Sequence, residues 1–187
     1  EYLSAEAWVE GCHALPSPQP QLALDKHFFF PGFTAATGGL LQERSLQQQA
    51  ALFMADADAQ QAFWQQLGVA EHARYQQKIS LFAYDHPQLE TLLACWQQAP
   101  VNSLCIVPQG ALANQLAALY PQLQQHAELT LKQLTLKVVP FMPQDDYDKL
   151  LWACDINFVR GEDSVIRAHW AAKPFIWQIY RQAEQAH

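Results

Sequence analysis

The run Arg160-Gly161-Glu162-Asp163-Ser164 gathers a guanidinium, a flexible backbone, two carboxylates and a hydroxyl. It lies between a short apolar strand pattern, Ile156 to Val159, and a helical pattern in which Val165, Ile166, His169 and Trp170 share one broad face. A strand that breaks at a glycine and enters a helix aims free backbone N–H groups at the space above the strand end. The positive end of the helix dipole points the same way, so that space favours an anion. Arg160 adds a planar fork of donors that suits phosphate. Glu162 and Asp163 stabilise a first helical turn and can accept hydrogen bonds from substrate hydroxyls. The same residues would serve equally as a well-capped strand–helix junction with a surface ion pair, so the surrounding elements must decide.

From about Glu71 the sequence alternates short apolar strands with amphipathic helices. Strands are predicted over 78–84, 103–107, 134–139, 156–159 and 175–179. Helices are predicted from Pro87 to Gln98, Ala111 to Tyr120, Asp145 or Asp146 to Cys154, and Ser164 to Ala171. This alternation predicts an α/β fold with a Rossmann-like parallel sheet covered on both faces. In open sheets of this kind ligands bind beyond the C-terminal strand ends. The residues to examine are then Phe82, Tyr84 and Asp85; Pro108, Gln109 and Gly110; Phe141, Met142, Pro143 and Gln144; and Arg160 to Ser164. Aromatic rings beside free loop amides suit a nucleobase, and the Arg160 turn suits its diphosphate. Neither GxGxxG nor GxxxxGK[ST] occurs, which disfavours a dinucleotide dehydrogenase or a P-loop ATPase and favours a nucleotide sugar. Tyr84 and Phe141 would also serve as aromatics at the edge of a core. Asp145, Asp146 and Asp148 read as an N-cap with first-turn acids rather than a metal cluster, and His169 as a packing residue.

The N-terminal part reads differently. A helix is predicted over Glu1 to Glu10, ended by Gly11, with Ser4 as its cap. Pro16, Pro18 and Pro20 impose an extended connection. His27 to Phe30 reads as a buried strand, and 31–34 and 37–39 as turns whose glycines could line a cleft or simply form a loop. Ser45 to Leu67 reads as two helices broken near Asp56 to Asp58, with Gly68 as a C-cap. The expected division is 1–45 as the end of one domain, 46–70 as a helical connection and 71–187 as the second domain.

A net charge of −7 argues against a nucleic-acid or anionic-membrane surface, and no apolar run or signal-peptide pattern suggests a membrane segment. Cys12, Cys95, Cys105 and Cys154 form no CxxC pair and read as buried, reduced thiols. Because the chain starts at Glu1 and ends within a helical pattern, it is expected to be part of a longer protein.

Three stretches resemble the elongation factor P arginine rhamnosyltransferases. The most specific is Phe141-Met142-Pro143-Gln144-Asp145-Asp146-Tyr147-Asp148-Lys149-Leu150-Leu151-Trp152-Ala153-Cys154-Asp155, followed by Asn157-Phe158-Val159-Arg160-Gly161-Glu162-Asp163-Ser164 and Lys173-Pro174-Phe175-Ile176-Trp177-Gln178-Ile179-Tyr180. The others are Glu1 to Glu6 with Trp8-Val9-Glu10, and Lys26 to Phe33 with Thr37-Gly38-Gly39-Leu40. The resemblance implies the donor-binding domain of a GT-B glycosyltransferase, plus the end of the preceding acceptor-side domain. It implies a bacterial, cytoplasmic enzyme that moves L-rhamnose from dTDP-β-L-rhamnose to an arginine of elongation factor P, with inversion. By the same resemblance Phe141 contacts the thymine and Gln144 a nearby part of the donor. Tyr84, Arg160, Glu162 and Ser164 hold the diphosphate and sugar, and Asp163 is the acid needed for activity. No cofactor or metal is implied. The family's glycine-rich segment with aspartates, which includes the general base, has no counterpart in this chain. The chain alone is therefore expected to bind nucleotide but to transfer little rhamnose. The alternative is a non-catalytic nucleotide-binding α/β module.

Overall fold

The structure is a computed structural model that describes Glu6 and residues 8–179. Among these residues the contacts divide the chain into two compact units, the first reaching Arg44 and the second Ser45–Gln178. Of the expected helix over 1–10, residues 1–5 and 7 lie outside the described residues, as do 180–187 at the other end.

In the first unit, helix α1 (Trp8–Cys12) runs through Gly11 rather than stopping at it. The proline-rich connection is strand β1 (Pro16–Gln19), paired antiparallel with β2 (Leu24–His27). Pro16↔His27 and Pro18↔Asp25 are register partners; a two-stranded ribbon is all edge, which is where prolines are tolerated. The expected buried strand over His27 to Phe30 is not formed. β2 ends at His27, and Phe28 and Phe29 remain partly exposed. The aromatic run is held by ring contacts instead: Phe29 meets His13 edge-on at 5.3 Å, Phe30 meets Trp8 edge-on at 5.4 Å, and Phe28 stacks on Phe30 at 6.3 Å. Gly38 donates to the Phe30 carbonyl, and a Cβ there would fall 2.4 Å from the Phe29 ring. Packing thus accounts for this glycine without a ligand.

The second unit opens with α2 (Leu46–Ala55) and α3 (Ala57–Gln66). Asp56 breaks them: its carboxylate accepts from the Ala59 N–H at 2.9 Å, capping α3. Gly68, at φ +74°, closes α3 as a Schellman motif, its own N–H bonding the Gln65 carbonyl and the Val69 N–H the Trp64 carbonyl. These helices are more than a connection. Leu46, Phe53, Phe63 and Trp64 are buried in one cluster with Leu104, Ile106 and Trp152, so the helices belong to the body of the sheet domain.

The sheet contains β3 (Gln77–Leu81), β4 (Ser103–Pro108), β5 (Glu128–Leu131), β6 (Leu134–Val139), β7 (Ile156–Arg160) and β8 (Phe175–Gln178). Its order is β5-β6-β4-β3-β7-β8, with β5 antiparallel at the edge and the rest parallel. β5 was not anticipated: Glu128-Leu129-Thr130-Leu131 is short, alternating and only half-buried, which is the pattern of an edge strand. The helices between strands are α4 (Leu89–Gln97), α5 (Ala111–Leu119), the short α6 (Gln122–Gln125), α7 (Gln144–Ala153) and α8 (Gly161–Ala171). On β4, Leu104 and Ile106 face the cluster with α2, α3 and α7, whereas Cys105 and Val107 face α4 and α5 through Leu93, Leu112 and Leu116. Such completely buried side chains stabilise by about 1.5–3 kcal/mol each before entropy is counted. Cys105 and Cys154 are fully buried, and burial pushes both thiols well above their usual range, so they are inert packing groups. Cys95 is exposed, contrary to expectation, because its side of α4 faces solvent.

Numbered along the chain, the five parallel strands lie in the order 3-2-1-4-5. The direction of winding reverses between β3 and β7, and that reversal is where a doubly wound sheet holds its ligand.

Candidate functional site

The C-terminal ends of β3 and β7 meet at this switch point. β3 ends at Leu81, earlier than predicted, after which the Phe82 N–H donates to the Phe158 carbonyl and the chain leaves the sheet. The Tyr84 N–H is held by Oε1 of Gln178 at 2.7 Å. His86 and Gln115 exchange two hydrogen bonds, of 2.9 and 2.8 Å, which pin the loop to α5. A shallow depression lies here, lined by residues 81–83 and 108–112 and by Arg160.

β7 passes into α8 with no loop between them: Arg160 is the last strand residue and Gly161 the first helical one. The helix therefore starts three residues before the predicted Ser164. The turn needs φ +65° at position 161, the left-handed region that glycine enters without steric cost. The Gly161 carbonyl accepts from Trp177 Nε1 at 3.0 Å, so β8 fastens the turn from the side. Ser164 is buried and its hydroxyl folds back on Arg160, accepting from the Arg160 N–H and donating to the Arg160 carbonyl. Glu162 and Asp163 occupy the first turn of α8, Glu162 partly covered and Asp163 exposed.

The Arg160 guanidinium lies over two rings, 4.5 Å from the centre of Phe82 and 4.8 Å from that of Tyr84. Among the described residues it has no ion-pair partner. Each ring contact contributes about 0.5–1 kcal/mol and, more to the point, fixes where the charge sits. Phe82 is itself buttressed by Tyr147 of α7, edge-on at 5.4 Å. Burial raises the Tyr147 phenol above its ordinary range, so it stays protonated.

Phe141 and Gln144 stand on the same edge, where β6 runs into α7. Phe141 is 72% exposed, and Gln144 opens α7 directly after Pro143. The N-cap is Pro143, not an aspartate. Asp145 and Asp146 are first-turn acids, but Asp148 is buried and forms a two-pronged ion pair with Arg167 of α8. Among the described residues, no group of three or more His, Cys, Asp or Glu is placed to hold a metal ion. His169 packs as expected: its ring lies 4.8 Å from Phe175 and its Nδ1 bonds the Val165 carbonyl at 2.7 Å.

All seven residues singled out from the sequence (Tyr84, Phe141, Gln144, Arg160, Glu162, Asp163 and Ser164) thus lie at or past the C-terminal ends of β3, β6 and β7. Sequence reasoning missed Arg167, Asp148 and the part played by Tyr147. A signal was available: Arg167 stands inside Val165-Ile166-Arg167-Ala168, and a charge in an apolar helical run needs a buried partner.

The doubly wound α/β sheet, with Arg160 held on two rings at its switch point, defines an α/β domain whose candidate site lies where folds of this class take up ligands. A model of the family "Elongation-Factor P (EF-P) rhamnosyltransferase EarP" matches residues 1–187, and the chain belongs to that family. A protein-arginine rhamnosyltransferase of Pseudomonas putida is 50% identical over the whole chain, which covers 50% of that protein. Its counterpart in Pseudomonas aeruginosa is 47% identical with the same coverage, and one from Neisseria meningitidis is 36% identical, the chain covering 48% of it. A solved structure concerning EarP-mediated arginine glycosylation of translation elongation factor EF-P superposes with a TM-score of 0.75 at 44% identity. That match covers 82% of this chain and 50% of the other. The chain thus spans about half the length of the relatives it matches.

Proposed function

We propose that this chain carries the donor site of a protein-arginine rhamnosyltransferase of GT-B type, acting in the bacterial cytoplasm. The donor is dTDP-β-L-rhamnose, and the acceptor is an arginine of elongation factor P. The observation that carries this reading is the Arg160 turn: a guanidinium held on two rings, beside the N-terminus of an eleven-residue helix, at the switch point of the sheet. Relatives named protein-arginine rhamnosyltransferases at 35–50% identity support it.

In this reading the Arg160 guanidinium and the first N–H groups of α8 hold the diphosphate. Tyr84, under the Arg160 guanidinium, and Ser164, bonded to the Arg160 backbone, hold that turn in place for the diphosphate and sugar. Phe141 supplies a face for the thymine, and Gln144 a polar contact beside it. Glu162 and Asp163 face the sugar. An acceptor arginine nitrogen attacks the anomeric carbon of rhamnose as the bond to the diphosphate oxygen breaks, with inversion. The positive turn stabilises the charge growing on the departing dTDP. Guanidinium is a poor nucleophile while protonated, so a carboxylate must take its proton and the reactants must be held in line. Asp163 is the acid of this chain on which transfer depends.

The reading is tested by incubating the full-length protein with dTDP-β-L-rhamnose and elongation factor P and weighing the acceptor by mass spectrometry. The expected result is addition of one deoxyhexose to one arginine, reduced at least about a hundredfold by Asp163→Asn, the scale of losing general acid–base assistance. Transfer unaffected by Asp163→Asn removes Asp163 from the mechanism. If nucleotide binds but no sugar is ever transferred, the chain is a non-catalytic nucleotide-binding module.

A further inference from the structure

The Gln144 side chain lies against the Arg167 guanidinium. With its carbonyl oxygen turned inward, that oxygen is 3.1 Å from Nη2, 3.3 Å from Nε and 3.2 Å from Nη1. Nearly equal distances to all three nitrogens put it over the guanidinium face, where the carbonyl dipole meets the positive charge. The opposite orientation would press amide hydrogens against a cation. One edge of the same guanidinium is taken by Asp148: Nε donates to Oδ1 at 2.8 Å and Nη2 donates to Oδ2. Asp148 is only 3% exposed and Arg167 8% exposed, so the guanidinium cannot turn to meet the amide differently. Gln144 and Asp148 are four residues apart on α7 and so share a helix face; one clamps what the other leans on.

With the oxygen on Arg167, the NH2 is the end of the amide that Arg167 does not engage; Gln144 is exposed, and so is Phe141 three residues before it at the same β6–α7 junction. We propose that the Asp148–Arg167 pair orients the Gln144 amide so that it offers a donor, not an acceptor, to the edge of the nucleobase. The site thereby selects bases with a carbonyl at the position where cytosine carries an amino group. Thymine and uracil meet that demand. Gln144 makes the contact; Asp148 and Arg167 are positioning residues. The inference rests on the donor-site reading above and adds the origin of base selectivity to it.

The test is calorimetric titration of the full-length protein with dTDP, dUDP and dCDP. Comparing dUDP with dCDP isolates the carbonyl-for-amino exchange, and comparing dTDP with dUDP isolates the methyl group. The wild type binds dUDP at least about tenfold more tightly than dCDP, the cost of one mispaired polar group. In Gln144→Glu one carboxylate oxygen faces Arg167 and the other becomes an outward acceptor, so the ratio shifts at least about tenfold toward dCDP. Asp148→Leu combined with Arg167→Met replaces the pair by apolar groups of similar volume, a change that cores tolerate. It frees the amide, and the dUDP preference falls to about threefold or less while thermal unfolding shows a folded chain. A dUDP-to-dCDP ratio that survives both variants overturns the proposal, as does a wild type with no base preference. Failure of the wild type to bind any of the three nucleotides refutes the donor-site reading itself.

Discussion

The β6–α7 and β7–α8 junctions share one edge of the sheet, yet they are built on opposite plans. At β7–α8 nearly every group is already engaged: Arg160 rests on Phe82 and Tyr84, Ser164 is bonded to the Arg160 backbone, and Trp177 holds the Gly161 carbonyl. At β6–α7 the chemistry stands open, with Phe141 exposed and Gln144 at the rim. The first suits a ligand part that is always the same and highly charged, because prearranged dipoles need no reorganisation when the anion arrives. The second suits a flat apolar part that supplies its own contact area on binding. Order is imposed on the open junction from behind, through the buried ion pair between α7 and α8.

Cutting that connection has the largest expected effect. Asp148→Ala takes the buried carboxylate away from a buried guanidinium, and should lower unfolding free energy by about 3–5 kcal/mol in a denaturant titration. A loss below about 1 kcal/mol would mean that the two junctions stand independently.

Phe141→Ala addresses the open junction alone. Stacking of a base on an aromatic ring is worth about 1–3 kcal/mol, so dTDP affinity should fall between fivefold and a hundredfold, roughly. Stability should stay within about 0.5 kcal/mol, because the ring is exposed in the absence of ligand. A fall in melting temperature with affinity intact would make Phe141 an ordinary packing residue.

Gly161→Ala addresses the closed junction. An added Cβ would have room, its nearest neighbour being Tyr84 Oη at 3.6 Å, so the penalty is conformational. A non-glycine residue at φ +65° costs about 1–2 kcal/mol. Thermal unfolding should register that loss, and a variant as stable as wild type would show that the turn relaxes freely.

The smallest effect is electrostatic. A hydrogen bond from Lys149, joined by a weaker one from Gln66, holds the Asp146 carboxyl below its ordinary value of 3.8. At neutral pH the folded and unfolded chains are both ionised there, and the pair contributes fully. As pH falls below the unfolded value the unfolded chain takes up a proton first, so the contribution shrinks and is gone below the folded value. Being partly exposed, the pair is worth no more than about 1 kcal/mol. Asp146→Asn should therefore cost a few tenths of a kcal/mol at pH 7 and progressively less as the pH falls through the acid range. An equal cost across that range would point to packing instead.

How much of this was legible in the sequence follows the same contrast. The strand at 134–139 and the pair of helices around Asp56 were readable because hydrophobic period, length and capping residue agree. The place of the closed junction was readable because a glycine between an apolar strand pattern and a helical pattern marks the turn, although the same residues would equally cap an ordinary junction. The helix start was misplaced at Ser164 because the glycine reads as a break, whereas at φ +65° it is itself the first helical residue and the acids at 162 and 163 fill the first turn. Phe28 and Phe29 misled because an aromatic run reads as a buried strand; nothing local reveals that its rings pack on one another and on His13 and Trp8 while the ribbon before them stays exposed. The Asp148–Arg167 pair spans 19 residues and two helices, and such long-range pairing leaves only an out-of-place charge as its trace.

The most direct measurement is calorimetric titration of dTDP into the wild-type chain and into Arg160→Ala. The account predicts saturable binding by the wild type and a loss of at least about tenfold in Arg160→Ala, because charge-assisted bonds to phosphate contribute about 1.5–3 kcal/mol. Equal affinity in the two proteins would contradict a donor diphosphate site on the Arg160 turn.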